Sequence, residues 1–260
     1  MHRYICHFLL PTRIGNRVFL FAGANKLAFT AIKVYFKLKH TSIMELTMKN
    51  LLLLGDSIRV GYCEFVKDML KDEAGVFFPP ENCRFAQYTL RELDHWIKPM
   101  PEIDVIHWNN GLWDCLHLGI DGIADDGEAA GITIKPPQVQ NSYRYEKEPL
   151  TPPDIYEYML NRIVIRLKQL CPHAVIVFGT TTPVVEEEAP AVFRSNAEID
   201  QYNSIARKVM QKYDIRINEL GEYAKTLGKE YRRDWVHYND KGCKLLAEEI
   251  ITYLKNEKLI

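Results

Sequence analysis

Leu51–Leu54 is an unbroken apolar run closed by Gly55, the pattern of a short parallel strand buried on both faces. From about Arg59 to Lys71 the spacing changes to that of a helix. Val60, Phe65, Val66, Met69 and Leu70 share one side, and Glu64, Lys67 and Asp68 the other. Thr89–Ile97 reads as a short helix and Asp104–Trp108 as a second buried strand. Thr151, Pro152, Pro153 and Asp154 supply a cap and early prolines for a long helix running to about Leu170, where Pro172 breaks it. Ala174–Phe178 is a third strand, ended by Gly179. Asn196 is placed to cap a helix striped by Ile199, Tyr202, Ala206 and Val209. Asp214–Ile217 fits a short strand, and Asn239 opens a last helix through Leu245, Leu246, Ile250 and Leu254. Strands alternating with helices predict an α/β fold: a three-layer α/β/α sandwich around a parallel, flavodoxin-like sheet.

Two stretches break this rhythm. Residues 1–47 carry Arg3, Arg13, Arg17, Lys26, Lys33, Lys37 and Lys39 against one acid, Glu45. Their apolar runs are too short and too interrupted for the ~20 residues a membrane span needs, and they lack the single apolar core of a signal peptide. Three readings stand open: an upstream extension with Met48 or Met44 as the start, a basic amphipathic surface anchor, or a divergent export signal. The fold is therefore expected in residues 48–260. Starting at Met48, the protein would be cytoplasmic; otherwise export stays open. The second stretch, about 118–150, has little periodicity, several glycines and a Pro136-Pro137 pair. A segment that long inside a compact domain is expected to be an insertion near the site.

Composition adds limits more than direction. At 47% hydrophobic and 26% charged residues, the chain has the balance of a soluble globular protein. Its net charge of -1 provides no general field for nucleic acid or an anionic membrane. The six cysteines show no metal-ligand spacing and read as small buried hydrophobes rather than a disulfide framework.

In an open parallel sheet, ligands sit outside the carboxyl ends of the strands. Three strand ends there are unusually polar. Gly55-Asp56-Ser57 follows the first strand: Gly55 permits a sharp turn, and Ser57 falls where unpaired N–H groups and the helix dipole favour negative charge. Asp56 or Ser57 is equally suited to cap the helix. Asp234-Trp235-Val236-His237 precedes the last helix. This spacing lets Asp234 accept from Nδ1 of His237, fix its tautomer and leave Nε2 to take a proton from a serine. The third strand end, Gly179 to Pro183, offers threonine hydroxyls either to a pocket or to a plain turn. Arg194 could face the same mouth, and Glu186–Glu188 reads as solvated. The remaining histidines, His117 and His107 among them, have no spaced carboxylate and default to core or surface.

The run LLLLGDS (Leu51–Ser57) resembles the first sequence block of the SGNH/GDSL hydrolases, and DWVHYNDKG (Asp234–Gly242) resembles their last. That resemblance implies a catalytic triad of Ser57, Asp234 and His237, with neither a metal nor an organic cofactor. The two middle blocks depart from the family. Arg84 to Thr89 lacks the usual oxyanion glycine, which leaves the N–H of Ala86 or Gln87 to serve. In Gly111-Leu112-Trp113-Asp114, Trp113 stands where asparagine is usual, so Asn110 is the first oxyanion candidate and Asn109 the second. GDSIR together with NNGLWD also resembles the PC-esterase branch, which is linked to O-acyl groups on glycans.

The expected function is a serine esterase that removes a small acyl group, such as acetyl, from a carbohydrate or small-molecule ester. Ser57, Asn110 and Gln87 would hold the oxyanion, and Asn109, Arg59 and Trp113 would meet the substrate. A solvated helix-start role for Arg59 competes with that one. The alternatives are an O-acyltransferase acting on glycans and a non-catalytic glycan-binding module of the same fold. Oligomeric state is not legible.

Overall fold

The computed structural model describes residues 10–14, 17–21, 48–118, 148–188 and 194–260. Most of the expected insertion (residues 119–147) lies outside them. The chain divides into two compact units, Met1–Thr47 and Met48–Ile260. In the first, β1 (Leu10–Ile14) pairs antiparallel with β2 (Arg17–Phe21), placing Leu10 opposite Phe21. No element was expected there.

The second unit is built on five parallel strands: β3 (Lys49–Leu54), β4 (Ala74–Phe77), β5 (Val105–Trp108), β6 (Val175–Gly179) and β7 (Arg216–Asn218). Their order across the sheet is β4-β3-β5-β6-β7, the flavodoxin-like order expected. Leu51, Leu52, Leu53 and Leu54 are all fully buried, because β3 is inside the sheet and covered on both faces. Each such leucine is worth about 1.5–3 kcal/mol of apolar burial.

The helices are α1 (Ser57–Met69), α2 (Ala86–Ile97), α3 (Pro153–Leu170), α4 (Asn196–Lys212), α5 (Leu220–Lys225) and α6 (Asp240–Asn256). Helices α1 and α6 pack together, as do α2, α3 and α4 in succession, giving the outer layers of an α/β/α sandwich. Among the described residues no helix is long and apolar enough to cross a membrane.

Local expectations fail in instructive places. Strand β4 was not foreseen: it is four residues long, contains Gly75 and is followed by Pro79-Pro80. Helix α4 is capped by Ser195 in a reciprocal box with Glu198, and not by Asn196, whose side chain instead bonds the backbone of Val184. Thr151 does not cap α3. It is fully buried, with its N–H on the Asp114 carbonyl and its hydroxyl on Gln87. The five described cysteines are free and buried, as small hydrophobes should be.

Candidate active site

Strands β3 and β5 are parallel neighbours in the sheet but are not consecutive in sequence, and the order in which strands are added to the sheet reverses between them. That switch point is where a doubly wound sheet opens a crevice. The chain leaving β3 turns at Gly55, where a Cβ would come within 2.0 Å of Asn109 Oδ1, so no side chain fits. The turn is gripped from outside by the Cys83 N–H, which donates to the Gly55 carbonyl at 3.0 Å. Asp56 then caps α1 by accepting the Ile58 N–H at 3.0 Å. Ser57 is the first residue of that helix and half-buried.

Ser57 Oγ is 2.9 Å from His237 Nε2. On the other side of the ring, His237 Nδ1 is 2.9 Å from Asp234 Oδ2 and 3.1 Å from Oδ1. A carboxylate at Nδ1 holds the ring proton there and leaves Nε2 to accept from the serine hydroxyl. Asp234 Oδ1 also accepts the N–H groups of Val236 (2.8 Å) and His237 (2.7 Å), closing a tight loop. An antiparallel bridge between Arg232 and Tyr238 braces it, and the Arg232 guanidinium lies 3.9 Å from the Tyr238 ring centroid. Partial burial alone would raise the Asp234 carboxyl. The hydrogen bonds from the His237 ring and N–H, the His237 charge and the Val236 N–H together outweigh it, holding the group well below the usual carboxylate range.

The other sequence candidates are placed less simply. Asn110 is fully buried. Its Nδ2 donates to the Arg84 carbonyl at 2.8 Å and its Oδ1 accepts from Trp108 Nε1 at 2.6 Å. Its Oδ1 is taken and one of its two Nδ2 hydrogens is spent on Arg84, so a single N–H is left for any further acceptor. Asn109 is the one that lies against the Gly55–Asp56 turn, with Tyr62 Oη 3.4 Å from its Oδ1. The Ala86 N–H is spent on Asp114 Oδ1 at 2.9 Å. Gln87 follows it in the first turn of α2, and its side-chain oxygen accepts from Thr151. Burial pushes the Asp114 carboxyl up to about 7, against the Ala86 N–H and Thr151.

Arg59 is neither solvated nor turned to a substrate. It is buried, and its guanidinium donates to the carbonyls of Pro79 (3.1 Å) and Glu81. Trp113 is half-buried, with its Nε1 inside the protein and unpartnered among the described residues. Thr180, Thr181 and Thr182 are buried rather than pocket-lining; Thr181 Oγ1 bonds the Asn110 carbonyl at 3.1 Å and Thr180 Oγ1 accepts the Gly221 N–H. Arg194 is likewise interior, donating to the Leu112 carbonyl. Glu186 and Glu188 are not merely solvated: they take the Asn196 N–H and pair with Lys229, respectively. His117 does have a carboxylate, Glu198 at 2.6 Å, supplied from 81 residues away.

A cavity of about 500 Å³ opens beside Ser57 and His237, walled by Pro80, Glu81, Asn82, Arg84 and Arg233 among others. The segment Pro80–Arg84 was not singled out as a pocket wall, since nothing in its sequence indicates that it folds back over α1.

No family model and no curated protein sequence matches the chain. Solved structures do. A lipase/acylhydrolase from Enterococcus faecalis superposes with a TM-score of 0.59 at 15% identity, covering 81% of this chain and 97% of that one. An acetyl xylan esterase gives 0.57 at 15%, covering 79% and 99%. A GDSL-like lipase from Bacteroides thetaiotaomicron gives 0.57 at 14%, covering 86% and 98%. At such identities the likeness is one of fold. The fold of residues 48–260 is that of the SGNH/GDSL hydrolases, as the resemblance of its first and last blocks implied.

Proposed function

We propose that the protein is a serine ester hydrolase with Ser57 as nucleophile, His237 as general base and Asp234 as the group that orients and stabilises the imidazolium. The observation that carries this reading is the continuous relay from Ser57 Oγ through His237 to Asp234, with both links at 2.9 Å. Met48–Ile260 is the catalytic unit. The serine proton passes to Nε2 as Oγ bonds the ester carbonyl carbon. The oxyanion forms at the N-terminus of α1, where the Ser57 N–H and the helix dipole favour it. The Gln87 N–H, in the first turn of α2, is the second donor. Collapse expels the alcohol, which takes its proton from His237, and water then releases the acid by the same route in reverse. The fold shared with an acetyl xylan esterase supports acetyl on a carbohydrate as the substrate class.

Hydrolysis of p-nitrophenyl acetate by the full chain, compared with Ser57→Ala, tests the reading. The substitution should cut kcat/KM by on the order of 10³-fold or more. A folded wild-type protein with no activity, or a variant as active as its parent, would overturn it.

A further inference from the structure

Arg84 has φ of 52°, in the left-handed region that a residue bearing a Cβ enters at a cost and glycine enters freely. Such strain persists where neighbours fix it, and it gathers at functional sites. Here the Arg84 N–H donates to Asn82 Oδ1 at 2.8 Å and its carbonyl accepts from Asn110, so the backbone is held from both sides. A long cationic side chain therefore occupies a position whose backbone suits glycine. That side chain lines the cavity beside Ser57 and His237, with its guanidinium 4.8 Å from the Tyr88 ring centroid. The opposite rim carries Arg233, exposed and 3.6 Å from Asp234 Oδ2. Glu81 is the acid in the lining. Hydrogen bonds from Tyr88 Oη (2.6 Å) and Trp96 Nε1 (3.0 Å) each engage one of its oxygens and turn its charge toward α2.

Arg233 leans on the Asp234 carboxylate and the oxygens of Glu81 are engaged by α2, so Arg84 is the cation that gives this part of the cleft its positive lining. A concave wall concentrates that field on whatever enters. Arginine also matches the paired oxygens of carboxylates and phosphates better than any neutral group.

We propose that the ester accepted at this site carries an anionic group close to its scissile bond, recognised by Arg84. This rests on the esterase reading and narrows its substrate class. The anion could belong to the acyl half or to the alcohol half, and two substrates separate them. The full chain is assayed on p-nitrophenyl acetate, p-nitrophenyl hemisuccinate (anionic acyl half) and 4-acetoxybenzoate (anionic alcohol half), with Arg84→Gly and Arg84→Lys alongside. For one of the two anionic esters, the kcat/KM ratio to the neutral ester should fall about tenfold in Arg84→Gly, mainly through KM. Comparing ratios between proteins cancels the intrinsic reactivity of the esters. Arg84→Lys should keep part of the preference, and salt should weaken it in the wild type. Relief of the left-handed backbone should leave the Tm of Arg84→Gly at or above that of the wild type. A ratio unchanged in Arg84→Gly for both anionic esters overturns the proposal. Should the wild type hydrolyse none of the three, the esterase reading fails and anion recognition is judged separately by calorimetric titration of succinate and 4-hydroxybenzoate. About tenfold weaker binding of either to Arg84→Gly upholds it, and equal or undetectable binding to both proteins overturns it.

Discussion

The loop bearing Asp234 and His237 joins its polar groups across three residues of chain and leaves the carboxylate partly in water. The wall on the other side of Ser57 gathers Asn110, Asp114, Ala86 and Thr151 from separate segments into a fully buried network. The two carboxylates respond in opposite ways. Asp234, ringed by donors, is held well below the usual range, whereas burial pushes Asp114 up to about 7. One arrangement keeps a carboxylate charged at a half-buried loop; the other uses a polar group as an internal strut. The contrast predicts that one side governs rate and the other governs stability.

The largest expected effect comes from Asp234→Asn. An amide cannot hold the ring tautomer, so p-nitrophenyl acetate turnover should fall on the order of 10³–10⁴-fold, while stability to urea falls much less in proportion, because the asparagine oxygen still accepts the Val236 and His237 N–H groups. A variant that unfolds readily but keeps its rate would reverse the assignment of the two sides. Next comes Asn110→Ala, which strands Trp108 Nε1 and the Arg84 carbonyl inside the protein and should cost about 2–3 kcal/mol by urea denaturation. Unchanged stability there would show that the wall is not a strut at all.

The smallest effect at any one step is a pH dependence. Burial pushes the His107 imidazole down to about 4 from its ordinary 6.5. Between those values the unfolded chain binds a proton that the folded chain does not. Lowering the pH through that window therefore removes up to about 1.4 kcal/mol of stability per unit. Asp114 acts oppositely: from 3.8 to about 7 the folded chain keeps a proton that the unfolded chain releases, so its contribution improves as pH falls. His107→Gln removes only the first effect. The variant should gain on the wild type as pH falls from about 6.5 to 4, and parallel stability curves would show that His107 titrates normally.

Much of this architecture is legible in the chain, and the parts that are not share a physical cause. The buried strands declare themselves through apolar runs such as Leu51–Leu54. Asp234 and His237 announce their pairing because three residues suffice to close the loop. Strand β4 is hidden because four residues containing a glycine carry too little pattern. Asn110 ranks ahead of Asn109 by its place beside Gly111, yet adjacent residues leaving a strand face opposite ways, and only the packing puts Asn109 against the Gly55–Asp56 turn. The partners of Arg59, His117 and Asn110 come from 20, 81 and 26 residues away. No local spacing encodes such distances.

Arg59 stands two residues beyond Ser57 on the same helix and fastens the segment from Pro79 to Glu81 to it. Ser57 and one bank of the cleft are thus tied together as a single piece. Widening the cleft has to come from the other bank, the Arg233 loop, and that loop also carries His237. Any widening on that side would therefore move His237 away from Ser57. On the proposed mechanism an oversized ester would be refused at proton transfer rather than at the doorway, and selection by size would show as slow turnover more than as weak binding.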